Sequence, residues 1–197
     1  MWLRRIVQGV NLQSSDFELF GLAQQFAQDR AAIDARWKEL QREAHPDKFA
    51  AQGAAAQRLA MQWSVRINEA YLRLKDPLKR AAYLCELNGA AVNAENNTAM
   101  PAGFLMQQMH WREALEEASN LAGIDDIGRK LSSSRREALL QCEQLLDVAH
   151  DYPAAVGQVR ALMFIERFSH DVDGRVEQFE LQNELQSGAK KRREKAN

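Results

Sequence analysis

Hydrophobic residues recur every three or four positions along most of the chain, which is the period of a helix buried on one side. Runs of alternating β-branched residues, the mark of strands, are absent from the sequence. The pattern therefore predicts an all-α protein. The two clearest helical stretches have apolar faces formed by Ile33, Trp37, Leu40 and Ala44, and by Ala56, Leu59, Ala60, Trp63, Ile67, Ala70, Tyr71 and Leu74.

These two helices are separated by the sequence His45-Pro46-Asp47, followed directly by Lys48 and Phe49. A helix cannot continue through Pro46, because the ring removes a backbone donor and clashes with the preceding turn. The residue before a proline is also driven away from helical dihedral angles. Two antiparallel amphipathic helices joined by a rigid, polar loop are therefore expected.

The rest of the chain predicts a short apolar turn before this hairpin and four helices after it. Asp16 to Leu22 forms a short apolar turn, and Asp76-Pro77 supplies a cap and a first-turn proline for the helix that ends at Asn88-Gly89. Three longer helices, at 101–121, about 125–150 and about 153–186, indicate an antiparallel three-helix bundle. The predicted organisation is a flexible leader (1–13), a first domain (14–89), a linker (90–99), the bundle (100–186) and a basic disordered tail (187–197).

Composition limits the classes of function. Hydrophobic residues make up 46% and charged residues 27% of the chain, and the net charge of -1 argues against a strongly basic nucleic-acid binder. The only cysteines, Cys85 and Cys142, favour two buried free thiols in a reducing cytosol over a zinc site or a disulfide framework. No apolar run is long enough for a membrane span. We expect a bacterial cytoplasmic protein; a mitochondrial location is the less favoured alternative.

Four segments resemble the HscB family of J-domain co-chaperones. The stretch HPDKF and the segment Ile67 to Leu84 (INEAYLRLKDPLKRAAYL) resemble its J-domain. The segment Gly103 to Ala118 (GFLMQQMHWREALEEA) resembles the first helix of its carboxy-terminal domain, and Val159 to Phe168 (VRALMFIERF) resembles part of the last helix. The resemblance covers about residues 14–186 and implies an amino-terminal J-domain followed by a three-helix bundle.

The resemblance implies a co-chaperone with two partners and no catalytic activity of its own. The J-domain would stimulate the ATPase of an HscA-type heat-shock chaperone, and the bundle would deliver an IscU-type scaffold on which iron–sulfur clusters are assembled. No cofactor, nucleic acid or membrane partner is implied. The cluster is not expected to bind this chain, since cluster ligation usually takes four thiolates. The alternative is a general J-domain co-chaperone that acts on unfolded clients.

The candidate chaperone-binding residues lie on and beside the polar loop. Asp47 can accept a charge-assisted hydrogen bond from a partner arginine, and Pro46 reduces the entropy lost on docking. Basic side chains along the preceding helix suit an acidic chaperone surface, although such a stripe can also be a solvated helix face. The predicted set is His45, Pro46, Asp47, Lys48, Arg42, Lys38 and Arg36.

The candidate scaffold-binding residues follow from the resemblance and lie mainly on the first helix of the bundle. An apolar group, Leu105, Met106 and Met109, is continued by Glu113 and Glu117 at four-residue intervals, and Phe164 matches the aromatic position of the last helix. A Leu/Met stripe at helical spacing can equally belong to the core.

The segment also departs from the family pattern. His110 stands where an acid is expected, and Trp111 beside it can belong to the core.

Two further readings remain as alternatives. His45 and Asp47 could serve an enzyme as acid–base groups or metal ligands, but no third ligand, nucleophile or phosphate-binding loop accompanies them. The basic run at 190–193 could bind nucleic acid, which would give steeply salt-dependent binding that is lost when residues 188–197 are removed.

Overall fold

The computed structural model describes residues 10–92, 100 and 102–194, and in the last helix it describes side chains as far as Leu185. Within these residues the fold is all-α, as predicted, and contains no strand. The helices are α1 (Asp16–Phe20), α2 (Arg30–Glu43), α3 (Ala54–Lys75), α4 (Pro77–Leu87), α5 (Ala102–Glu117), α6 (Leu121–Glu143) and α7 (Tyr152–Glu194). A 3₁₀ turn (Pro46–Gln52) links α2 to α3, and a π-helical turn (Gln144–Ala149) follows α6.

The described residues form two compact units. The first contains residues 10–92 together with 142–156, and the second contains residues 100–141 and 157–194. Residues 142–156 were predicted as part of the bundle, and that prediction is wrong for this segment. It packs with the first unit because Asp147 binds the backbone of Phe26 and Ala27, and because Tyr152 lies beside Cys85.

The core of the first unit is formed by the paired apolar faces of α2 and α3. The aromatic rings of Trp37 and Tyr71 stack between the two helices, with centroids 4.6 Å apart. Leu59, predicted on the buried face, is 38% exposed. Among the other predicted residues Trp37, Ala56 and Tyr71 are half-buried, and the rest are buried: Ile33, Leu40, Ala44, Ala60, Trp63, Ile67, Ala70 and Leu74.

A fully buried carboxylate joins α1 to α3. Asp16 forms ion pairs with Arg66 at 2.6 Å and with Arg73 at 3.0 Å. Arg66 also donates to the carbonyl oxygens of Leu12 and Ser14. The chain just before α1, predicted as the end of a flexible leader, is therefore held by hydrogen bonds. Residues 1–9 of that leader lie outside the described residues.

The second unit is a bundle of α5, α6 and α7 around one apolar core. Its buried residues are Phe104, Trp111, Ile124, Ile127, Leu131, Ala161, Ile165, Phe168 and Val172. These positions recur at helical spacing on each of the three helices, so the predicted bundle follows from their periodicity. No helix in the described part of the chain is long and apolar enough to cross a membrane.

The ends of three helices differ from the sequence prediction. Helix α5 ends at Glu117, four residues before the predicted end at Leu121. Helix α6 begins at Leu121, earlier than expected, because Asn120 accepts a hydrogen bond from the backbone N–H of Gly123 and caps the first turn. Helix α7 continues to Glu194, so residues 187–194 are helical where a disordered tail was predicted. Ala, Lys, Arg and Glu favour helix, and extending an existing helix avoids the cost of a new nucleus. Most of the predicted linker, residues 93–99, lies outside the described residues.

Candidate functional site

The polar loop forms an outward-facing corner between α2 and α3. The side chain of His45 is 57% exposed and that of Asp47 is 89% exposed. Their imidazole Nδ1 and carboxylate Oδ2 lie 3.5 Å apart, and the backbone N–H of Asp47 donates to the same Nδ1 at 3.4 Å. Pro46 opens the 3₁₀ turn between them. An imidazole and a carboxylate are thus presented together to solvent.

The corner is held in place from its inner side. Phe49 is buried, and the backbone N–H of Lys48 donates to the carbonyl of His45 at 3.1 Å. The hydroxyl of Ser64, on α3, donates to the carbonyl of Ala44 at the end of α2. Little freedom is therefore left to the backbone on either side of the proline, and less entropy would be lost when a partner binds.

The predicted basic residues divide into two groups. Lys38 and Arg42 are exposed one turn apart on α2, and Lys48 is exposed beyond the corner. Arg36 instead donates to the carbonyl of Phe20 at 3.1 Å and pairs with Glu39 at 2.5 Å. The structure therefore places three of the four cations where a partner could reach them, and directs the guanidinium of Arg36 toward the end of α1.

Polar contacts that the sequence analysis missed fix α2 against α3. The side-chain oxygen of Asn68 accepts hydrogen bonds from the indole N–H of Trp37 at 2.9 Å and from the amide of Gln41 at 2.6 Å. Further from the corner on α2, Asp34 accepts hydrogen bonds from the Tyr71 hydroxyl and from Arg30. The hydrogen bond from Arg30 lowers the pKa of Asp34. The sequence signal that could have identified Asn68 is its position at the polar edge of the apolar face of α3.

An apolar patch lies on the solvent-facing side of α5. Leu105, Met106 and Met109 are 44%, 64% and 62% exposed. Glu113 and Glu117 are exposed on the same side of the helix, one and two turns further along. We call these five residues the α5 patch. Their exposure removes the alternative that the Leu/Met stripe belongs to the core.

Phe164 and Trp111 anchor the opposite side of α5. Trp111 is 4% exposed, as expected for a core residue. Phe164 on α7 is half-buried and stacks on Phe168 with centroids 5.7 Å apart, while its edge meets Phe104 at 5.8 Å. The guanidinium of Arg112 lies 5.6 Å from the same ring. Phe164 therefore supports the bundle core while keeping part of its ring accessible.

The charged surroundings of the α5 patch differ from an all-acidic strip. His110, between Met109 and Trp111, is exposed. The exposed Arg112 adds a cation at the edge toward Phe164. The acidic side chains are concentrated in the last two turns of α5, so any electrostatic attraction to a basic partner should be strongest there.

Within residues 10–92, 100 and 102–194 no three His, Cys, Asp or Glu side chains are grouped so as to hold a metal ion. Both cysteines are buried free thiols. Burial raises the pKa of Cys85 to about 11 and that of Cys142 to about 12, so both are protonated at neutral pH.

Comparisons with known proteins agree on one family. The family model described as "HSCB C-terminal oligomerisation domain" matches residues 100–173. The "Co-chaperone protein HscB homolog" of Burkholderia multivorans is 49% identical over 174 residues, which is 87% of this chain and 99% of that protein. The homologue from Burkholderia cenocepacia is 48% identical over the same coverage.

Two solved structures share the fold. The structure described as "Chaperone HscB from Vibrio cholerae" has a TM-score of 0.71 and 34% identity, and the match covers 84% of this chain and 99% of that one. The human co-chaperone protein HscB has a TM-score of 0.77 and covers 83% of each chain. At 23% identity the human structure supports the fold alone.

Proposed function

The chain belongs to the HscB family of co-chaperones, and we propose that it stimulates the ATPase of an HscA-type chaperone and delivers an IscU-type iron–sulfur scaffold to it. The first unit would engage the chaperone through the corner at His45 and Asp47. The second would hold the scaffold through the α5 patch and Phe164. As a co-chaperone the chain is not an enzyme: ATP hydrolysis takes place in its partner.

The exposed corner is the observation that carries the proposal for the chaperone. Asp47 offers a carboxylate that is almost fully solvated and can accept a bidentate hydrogen bond from a partner arginine. The backbone behind it is already fixed, so docking orders few groups. Exposed Lys38, Arg42 and Lys48 add positive charge on the approach to the corner, where they would raise the association rate and set the register.

The proposal for the scaffold rests on exposed apolar area of the α5 patch. Three large apolar side chains lie open on one helix face, beside an acidic end. Such a surface suits a partner with an apolar contact region next to basic residues, because the apolar centre of the interface loses water while the charges fix the orientation of the partner.

Since its relatives are bacterial co-chaperones, we propose that the protein acts in the bacterial cytoplasm.

The test of the first half is the steady-state ATPase of an HscA-type chaperone with scaffold present. We expect His45→Gln and Asp47→Asn to remove at least nine-tenths of the stimulation, with helicity and melting temperature unchanged, because both side chains are exposed. Asp125→Asn removes the same charge from an exposed position in the second unit and should stimulate like the wild type. Stimulation that survives His45→Gln would overturn the role of the corner.

The test of the second half is scaffold affinity by titration calorimetry. Leu105→Ala and Met109→Ala should each weaken binding by about 1–2 kcal/mol, the usual range for truncating a central apolar contact. Leu140→Ala is a matched control, since Leu140 is 66% exposed on α6. A general co-chaperone for unfolded clients would instead bind the scaffold no better than an unrelated folded protein, and all three variants would then behave alike.

A further inference from the structure

The carboxylate of Asp147 binds two consecutive backbone N–H groups in the first unit. Its Oδ1 accepts from Phe26 at 2.5 Å and its Oδ2 accepts from Ala27 at 2.7 Å. Asp147 lies 121 residues after Phe26 and 120 residues after Ala27 in the sequence. Residues 22–29 form no helix or strand, so the two N–H groups have no partner from regular structure. A carboxylate suits such a pair, since it offers two oxygens and a negative charge.

The same loop is held from its other side by Arg80 on α4. Its guanidinium donates to the carbonyl of Phe26 at 2.8 Å and to the carbonyl of Leu74, and it lies 5.2 Å from the centre of the Phe26 ring. Phe26 is 5% exposed and Arg80 is 7% exposed. Burial lowers the pKa of Arg80, whereas the negative charges of Asp76 and Asp147 raise it. Asp147 is thus also a counter-charge for a buried cation.

The backbone around Asp147 has an uncommon conformation. Asp147 lies within the π-helical turn, which ends at His150 in the left-handed region with φ of 52°. A non-glycine residue rarely adopts that conformation, and single π turns are uncommon in helices. The backbone N–H of Asp151 closes the turn on the carbonyl of Leu145 at 2.9 Å. This closed turn holds the carboxylate beside Phe26 and Ala27.

The bound loop leads directly into the helix that carries the exposed cations. Asp29 caps α2 two residues after Ala27, and its carboxylate accepts from the backbone N–H of Ala31 at 2.8 Å. Lys38 and Arg42 follow on α2, before the corner. The position of the start of α2 therefore depends on where residues 26 and 27 are held.

We propose that Asp147 is a positioning residue for chaperone engagement: by binding the backbone of Phe26 and Ala27 it fixes the start of α2 and so the placement of the exposed cations. This inference rests on the proposed function. The turn between α6 and α7 would then help to build the chaperone-binding surface of the first unit, although it lies far from that surface in the sequence. Asp147 itself need not touch the chaperone.

The test uses the full chain in two measurements. The first is the ATPase of an HscA-type chaperone as a function of co-chaperone concentration, with the wild type, Asp147→Asn and Asp147→Ala. We expect the half-maximal concentration to rise at least three-fold for Asp147→Asn and further for Asp147→Ala. The maximal rate and the scaffold affinity should not change, because the corner and the α5 patch are intact. The matched control is Asp151→Asn, which loses the same charge in the same turn and still caps α7.

The second measurement is hydrogen exchange of the backbone amides. In Asp147→Asn, the amides of Phe26 and Ala27 and those of the first turn of α2 should exchange at least ten-fold faster, while those of α5 keep their rates. Wild-type exchange at these amides, or an unchanged half-maximal concentration, would overturn the proposal. If Asp147→Ala unfolds, Asp147→Asn decides, since it keeps shape and one acceptor. If the wild type fails to stimulate the ATPase, the proposed function is refuted instead. The hydrogen-exchange measurement alone then tests whether Asp147 positions α2.

Discussion

At the scale of single residues, burial decides the chemistry of the two cysteines. Cys85 and Cys142 are both 0% exposed, and the thiol of Cys85 lies 3.8 Å from the carbonyl oxygen of Tyr152. Burial removes the water that would solvate each thiolate, so the neutral thiol is favoured in the folded protein. The thiols act as small apolar side chains at neutral pH.

The raised pKa values predict a stability that falls in alkaline solution. Unfolding restores the ordinary thiol pKa near 9.0, whereas the folded values are about 11 and about 12. The stabilisation is complete below pH 9 and is lost as the pH rises toward 11 and 12, at up to about 1.4 kcal/mol per pH unit for each thiol. Urea unfolding between pH 8 and 10.5, with reductant, measures this slope. The Cys85→Ala/Cys142→Ala variant should show a shallower slope, and identical slopes would contradict the prediction.

The residue patterns predicted which side chains are exposed better than they predicted which groups those side chains contact within the chain. The proline in the loop was enough to place His45 and Asp47 outside. Arg36 was grouped with Lys38 because both follow the same helix, but a long guanidinium at the boundary can turn either way, and here it reaches Phe20. Asp147 was invisible to periodicity, since its two partners lie 120 and 121 residues away.

At the scale of elements, the turn after the corner depends on one glycine. Gly53 has φ of 91° and ψ of 168°, a conformation that is essentially confined to glycine, and α3 begins at the next residue. A Cβ at this position would meet no atom within 4 Å. The requirement is therefore one of backbone conformation and not of space.

We expect Gly53→Ala to lower the free energy of unfolding by about 1–3 kcal/mol, the usual cost of such a strained backbone. Chemical denaturation measures the loss. Gly128→Ala on α6 is the matched control, because Gly128 has ordinary helical dihedral angles and equally open surroundings, and it should be neutral or slightly stabilising. Equal effects of the two substitutions would show that the turn tolerates a side chain.

Helix α5 has one face for the core and another that is left open, and the two faces should respond differently to truncation. Trp111→Ala should lower the free energy of unfolding by about 3–5 kcal/mol, since the indole is buried among three phenylalanines. Leu105→Ala should change it by less than about 0.5 kcal/mol. Thermal and urea unfolding of the two variants compares them. A large loss of unfolding free energy in Leu105→Ala would show that Leu105 contributes to the core.

Helix positions followed from the sequence because apolar spacing and capping residues are local signals, but several helix ends did not. The first turn of α6 depends on Asn120, whose amide oxygen was not counted as a cap. The continuation of α7 past Leu185 agrees with favourable helix propensity, but a run of charges is equally compatible with coil.

At the scale of the whole molecule, the first unit is discontinuous in the sequence. Residues 142–156 return to it after α5 and most of α6 have formed the second unit. Ala155 and Val156 are buried, and Leu146 in the π turn is 3% exposed. The composition shift at 90–99 predicts one boundary along the sequence, but a composition shift cannot reveal that residues 142–156 pack with the first unit.

A fragment that ends at Val92 should therefore be less stable than the first unit of the full chain. Without residues 142–156 it loses the two charge-assisted hydrogen bonds of Asp147, which together correspond to about 3 kcal/mol or more and to a fall of roughly 10 °C or more in melting temperature. Hydrogen exchange compares α2 and α3 in the fragment and in the full protein. Equal protection would show that residues 10–92 fold without help from the later segment.

The discontinuity also sets the rule for making hybrids of two relatives. A crossover placed in residues 93–99 would pair one parent's loop at Phe26 with the other parent's turn at Asp147, so the two sides of this contact would come from different sequences. A hybrid that carries residues 142–156 along with residues 10–92 keeps both halves of this contact from the same ancestor. The natural unit of exchange in this protein is thus two pieces of sequence and not one.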